Sequence, residues 1–120
     1  MNTFRLAALS ACLALAACSS GPDATARAFV EDTAAGRSAE ALEKLDPELK
    51  RVAGSKIASS VRRSAAKAEK KGGVKSVNVL DSEVDGDRAV VRFETEFGDG
   101  TKERGSQPMR KVDGEWYVTM

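Results

Sequence analysis

Two thiols, an alternating run of carboxylates and one cation-rich segment are the groups in this chain whose types and spacing could do chemistry. Cys12 and Cys18 are the only cysteines, and their spacing matches no zinc motif. Glu94 and Glu96 stand two apart, roughly 7 Å along a strand, which suggests paired carboxylates working as acid and base. Asp81, Glu83, Asp85 and Asp87 alternate around an Asp-Gly step; they offer oxygen ligands to a divalent cation but lack the ligand count and glycine placement of an EF-hand loop. Lys50, Arg51, Arg62, Arg63, Lys67, Lys70 and Lys71 gather in one stretch. They are candidate contacts for an anionic surface, either lipid headgroups or a polyanionic envelope polymer. The chain has no histidine, so the commonest general base, metal ligand and near-neutral switch is missing.

The elements that must position these groups fit one domain, since the chain has 120 residues. With 42% hydrophobic and 31% charged residues the composition is that of a globular chain, and six aromatic residues imply a modest core. The net charge of +1 carries no nucleic-acid signature. Locally the charge is uneven: Lys44 to Lys75 is strongly basic, and both flanks are acidic.

Helical spacing of Ala26, Phe29, Val30, Thr33 and Ala34 predicts a first helix from about Ala24 to Ala35, capped by Asp23 and stopped by Gly36. Ser38 is expected to cap a short second helix carrying Ala41, Leu42 and Leu45. Asp46 is expected to cap a third, with Pro47 in its first turn, that runs to about Lys71 and ends at Gly72-Gly73. Leu49, Ala53, Ile57, Val61, Ala65 and Ala68 form the apolar stripe of this third helix. The cations occupy its other surface, and Gly54 with Ser59-Ser60 marks a place for a kink.

The second half reads as strands: Lys75 to Val84 with a bulge, Arg88 to Phe97, Thr101 to Val112, and Glu115 to Met120, separated by glycine-containing turns. Pro108 argues for an edge or bulge in the third of these. The predicted class is α+β, three helices packed on one face of a curved four-stranded antiparallel sheet. Its expected core is Phe29, Leu42, Leu45, Leu49, Ile57, Val61, Val91, Phe93, Phe97 and Trp116.

The same alternation weighs the candidate sites. It places Glu94 and Glu96 opposite Phe93 and Phe97, toward solvent, and Asp81 to Asp87 reads as turn chemistry and solubility. No catalytic set, metal site or cofactor site follows. The basic helix reads first as a solvated face, and without interleaved aromatics it does not suggest nucleic-acid binding.

At the amino terminus Arg5 precedes Leu6 to Ala17, an uncharged run of twelve residues. As a helix it would span roughly 18 Å against a ~30 Å hydrocarbon core, so a secretory signal peptide fits better than a membrane span. Leu15-Ala16-Ala17-Cys18 resembles the lipobox of bacterial lipoprotein precursors. That resemblance implies cleavage between Ala17 and Cys18, a diacylglyceryl thioether on Cys18 and acylation of the new amino group, and hence no free thiol in the mature chain. Leu9-Ser10-Ala11-Cys12 also fits the pattern. It would leave six residues of hydrophobic region where roughly 7–15 are expected, so Cys18 is preferred and Cys12 is the rival. The expected organisation is residues 1–17 signal peptide, 18–22 lipidated tether and 23–120 domain, facing the periplasm. Ser19 after the cysteine resembles outer-membrane sorting in enteric-type bacteria.

Ala28-Phe29-Val30 with Gly36, Leu45-Asp46-Pro47-Glu48-Leu49, Gly73-Val74-Lys75-Ser76-Val77, Val84-Asp85-Gly86-Asp87 and Val112-Asp113-Gly114-Glu115-Trp116 together resemble small bacterial lipoproteins with an NTF2-like domain of the DUF4878 type, related to lumazine-binding-like proteins. The resemblance spans essentially the whole mature chain. It implies a cystatin-like cone, with a bent sheet wrapped on helices and a pocket at the open end, and it brings no activity. The expectation is a non-enzymatic, membrane-anchored module binding a protein partner or small ligand, without a nucleic-acid partner. The alternative is a small enzyme using acidic residues in the cone.

Overall fold

The computed structural model describes residues 21–120. Its elements are α1 (Pro22–Ala35), α2 (Ser38–Glu43), α3 (Pro47–Lys70), β1 (Val74–Asp85), β2 (Arg88–Phe97), β3 (Lys102–Val112) and β4 (Glu115–Val118). The strands form one antiparallel meander in the order β1-β2-β3-β4. α1 touches every strand, and α3 packs on α1 and α2. The α+β expectation, three helices on a four-stranded antiparallel sheet, therefore holds. Among the described residues, every element and buried hydrophobic residue lies within residues 22–118.

The helix starts depart from expectation. α1 begins at Pro22, with Gly21 at its N-cap and no side-chain cap; Asp23 lies in the first turn. Pro22 fixes its own φ in the helical range and has no N–H to leave unpaired, so it starts the helix itself rather than ending the tether. Ser38 is likewise the first residue of α2 and Arg37 its N-cap. Asp46 does cap α3: its carboxylate accepts the Glu48 N–H at 2.9 Å. α3 runs unbroken through Gly54 and Ser59-Ser60.

Ala26, Ala41, Leu45, Ile57, Val61, Ala89, Val91, Met109 and Val118 form one buried cluster, with Phe29, Leu42, Leu49 and Trp116 packed at its margin. The expected core did not include the alanines, Met109 or Val118, although Ala26 and Ala41 were placed on the predicted helices. Alanines fill this interior because α1 must lie close to all four strands, and a small side chain permits that approach. The connection between α2 and α3 adds a clasp to the sheet. Leu45 makes a parallel bridge with Val118; the Val118 N–H donates to the Lys44 carbonyl at 2.7 Å, and the Asp46 N–H donates to the Val118 carbonyl at 2.8 Å.

β1 has register shifts at Val74/Ser76 and Val79/Asp81, the expected irregularity. Pro108 pairs with Val90 in continuous register, so there is no bulge. Its carbonyl accepts the Thr119 N–H at the place where β4 ends. The Gln107 side-chain amide donates to the Pro108 and Thr119 carbonyls at 3.0 and 3.2 Å, supplying the donor that proline lacks.

Candidate functional site

Side-chain alternation on β2 sends Ala89, Val91, Phe93, Thr95 and Phe97 to the helix-covered face. Antiparallel register then fixes their neighbours on β3: Met109 beside Ala89, Gln107 beside Val91, Gly105 beside Phe93 and Glu103 beside Thr95. Between this face and the helices lies a pocket of about 270 Å³, small for a ligand site. Phe29, Phe93 and Phe97 give it an aromatic lining, and Lys67, Lys71 and Glu103 bring charge to it.

Main-chain contacts build its frame. Beyond the end of α3, Gly72 and Gly73, both at positive φ (89° and 79°), turn the chain against the β2–β3 turn. The Gly98 N–H donates to the Gly73 carbonyl and the Asp99 N–H to the Lys71 carbonyl, each at 2.8 Å. A Cβ on Gly98 would collide with the Gly72 carbonyl oxygen, so only glycine permits this crossing. Gly105 makes room differently: a Cβ there would stand 2.6 Å from the tip of the Phe93 ring, so the ring occupies the space a side chain would take.

The polar groups are unequally engaged. Lys71 Nζ forms a close ion pair with Glu103 and lies 4.8 Å from the centre of the Phe97 ring. The hydrogen bond from Lys71, with the positive charges of Lys71 and Lys67 behind it, holds the Glu103 carboxyl below its ordinary range. Lys67 has no ion pair among the described residues. Thr33 has a buried hydroxyl without a hydrogen-bond partner there, the kind of group that a bound molecule or water completes. Ser64 and Lys67, one helical turn apart on α3, both line the pocket.

Two buried aspartates anchor the helices that carry these residues. Asp32 on α1 accepts Arg37 Nε at 2.8 Å and Lys44 Nζ at 2.6 Å. Burial alone would raise its pKa, but the two cations outweigh that and lower it. Asp46 is raised by burial in the same way. The Glu48 N–H, the Arg110 guanidinium at 2.9 Å and the Thr119 hydroxyl together bring it below the ordinary value.

The residues singled out from sequence are distributed as follows. Glu94 and Glu96 lie on the face away from the helices, paired with Arg104 at 3.2 Å and Lys75 at 3.9 Å. Asp81 and Glu83 share Arg92. No group of three or more His, Cys, Asp or Glu that could hold a metal occurs among the described residues. Lys50, Arg51, Arg62, Arg63, Lys67 and Lys70 are exposed on α3. Lys71 is half-buried at the pocket rim, drawn there by Glu103 and Phe97. Ala17 and Cys18 lie outside the described residues, as does Cys12. Among the described residues no helix is long and apolar enough to cross a membrane. Glu103, the carboxylate of the pocket, was missed. Counting back across the Gly98-Asp99-Gly100 turn from Phe97 would have placed it beside Thr95.

A profile described as "Domain of unknown function (DUF4878)" matches residues 16–119. No curated protein matches. Among solved structures, a protein from Campylobacter jejuni described as an NTF2-like transpeptidase is 26% identical, with a TM-score of 0.77, covering 84% of this chain and 99% of its own. A SEC-C motif containing protein from Rhodopseudomonas palustris is 24% identical, with a TM-score of 0.58, covering 82% of this chain and 75% of its own, a likeness of fold alone.

Proposed function

From the DUF4878 family, to which the chain belongs, and from its NTF2-like fold, we infer a non-enzymatic binding module that takes a small ligand in the pocket between the helices and β2–β3. Lipid on Cys18 would hold it at the bacterial cell envelope, facing the periplasm. The observation that carries the reading is the pocket wall: an aromatic lining beside polar groups that the fold leaves unused, Lys67 and the Thr33 hydroxyl. Pockets with an apolar body and a few converging polar groups are the usual form of small-molecule sites.

An enzymatic reading draws on two observations. The Campylobacter jejuni relative is described as a transpeptidase, and Ser64-Ala65-Ala66-Lys67 has the Ser-x-x-Lys spacing in which lysine can activate a serine. The local geometry favours binding over acyl transfer. Ser64 lies deep inside α3, where backbone N–H groups are committed to helix hydrogen bonds and cannot serve as oxyanion donors. Glu103 is held ionised by Lys71, the opposite of a carboxyl tuned upward for acid–base work near neutrality.

Incubation with a β-lactam transpeptidase probe separates the readings. The binding module acquires no covalent mass; an adduct lost in Ser64→Ala would establish the enzyme. Anchoring has its own test: globomycin should accumulate the lipidated precursor, and Cys18→Ser should abolish lipid labelling. Labelling that survives Cys18→Ser but not Cys12→Ser would move the anchor to Cys12.

A further inference from the structure

Charge at the pocket is unbalanced in one direction. Of its three ionisable residues, Lys71 and Glu103 neutralise each other, and Lys71 is further engaged with the Phe97 ring. Lys67 also acts on Glu103 but makes no ion pair among the described residues, so the wall carries one positive charge in excess. The helix that presents it adds to the same sign. Lys56, Arg63, Lys67 and Lys70 follow one another at spacings of seven, four and three residues, which puts them along one face of α3. Lys67 belongs both to that face and to the pocket, so the exposed cations raise the potential where a ligand would enter.

The size and lining constrain the rest of the molecule. A volume of about 270 Å³ is the share of roughly nine water molecules, the size of one small organic molecule. Phe29, Phe93 and Phe97 favour a flat or hydrocarbon body. Resting on the binding reading above, we propose that the ligand is a small organic anion. Its carboxylate pairs with Lys67, its apolar body lies among the three phenylalanines, and the basic face of α3 draws it in.

The test uses two probes of nearly equal shape, 3-phenylpropanoate and 3-phenylpropan-1-ol, titrated into the chain from Ser19 to Met120, which holds every element and core residue among the described residues. Amide spectra should report both probes at Phe93, Thr95 and Phe97. The acid should bind about tenfold more tightly, the value of one charge-assisted hydrogen bond at a half-open site, and 0.5 M salt should erode the difference. Lys67→Gln should abolish the acid's advantage, Lys67→Arg should retain it, and Lys50→Gln should leave it unchanged. Lys67 is exposed, and spectral dispersion confirms that each variant folds. Equal binding of acid and alcohol, or a preference that survives Lys67→Gln, overturns the anion assignment and leaves the pocket as a binding site. Failure of both probes to shift the pocket amides overturns the assignment and the pocket reading together.

Discussion

Replacing Asp46 tests how much of the fold hangs on one buried carboxylate. It is 6% exposed and holds three things at once: the first turn of α3 through the Glu48 N–H, β3 through Arg110, and the chain after β4 through Thr119. Loss of an N-cap costs about 1 kcal/mol. The Arg110 pair adds about 1 kcal/mol after screening, because Arg110 is 40% exposed. The Thr119 contact is long at 3.4 Å and adds little. Asp46→Ala should therefore cost about 2 kcal/mol, a fall in Tm of roughly 10 °C for a domain of this size. Asp46→Asn keeps the cap and loses the charge, so it should cost about half as much. The two parts separate with pH. A carboxyl whose pKa is lowered by folding contributes stability that is present above its unfolded value, near 3.8, and is lost as pH falls through the lower folded value. The gap between wild type and Asp46→Asn should thus be full at pH 6 and close as acid is added below about pH 4. Urea unfolding of the Ser19–Met120 chain at pH 6, 4 and 2.5 measures all three proteins. Equal destabilisation by Asn and Ala at pH 6 would refute the cap assignment, and a gap that persists undiminished at pH 2.5 would refute the charge assignment.

Gly98→Ala drives a methyl into the Gly72 carbonyl; a rigid backbone neighbour cannot step aside, so a loss of about 2–3 kcal/mol in urea unfolding is expected. Gly105→Ala meets only the tip of the Phe93 ring, which can turn toward the pocket. Stability should change by less than about 1 kcal/mol while phenylpropanoate binding weakens severalfold, and calorimetry reads both. Asp32→Asn removes the charge shared by Arg37 and Lys44 and should cost about 1–2 kcal/mol at pH 7. Because folding lowers this pKa too, that cost should shrink as the pH falls below about 4.

The architecture was legible because its signals are periodic or local. Ile57, Val61, Ala65 and Ala68 mark one side of a helix wherever it packs, and Asp85-Gly86-Asp87 marks a hairpin whatever surrounds it. Asp46 was readable as a cap from Pro47 and Glu48 alone. What failed were features decided by partners distant in sequence. Lys71 reads as one more surface cation of a basic helix until Glu103, 32 positions later, draws it to the pocket. Phe93 reads as core because it shares a face with Val91, yet β3 offers it Gly105 and an open wall instead. The pocket was expected from resemblance only. Its lining depends on which β3 residues face Phe93 and Thr95, and so on hairpin register.

The parallel clasp between residues 44–46 and Val118 has a meaning for the order of assembly. Asp46 and Thr119 are 73 positions apart, and Leu45 and Val118 are both almost wholly buried. Read from its amino end, the chain carries α1, α2 and α3 before it holds the strand against which the α2–α3 connection seats. Contacts this distant close late. Without β4 in place, Leu45 lacks the strand that covers it and the Asp46 carboxylate lacks Thr119. Loss of the last few residues would therefore open the helical layer as well as the sheet, although β4, at four residues, is the shortest of the strands.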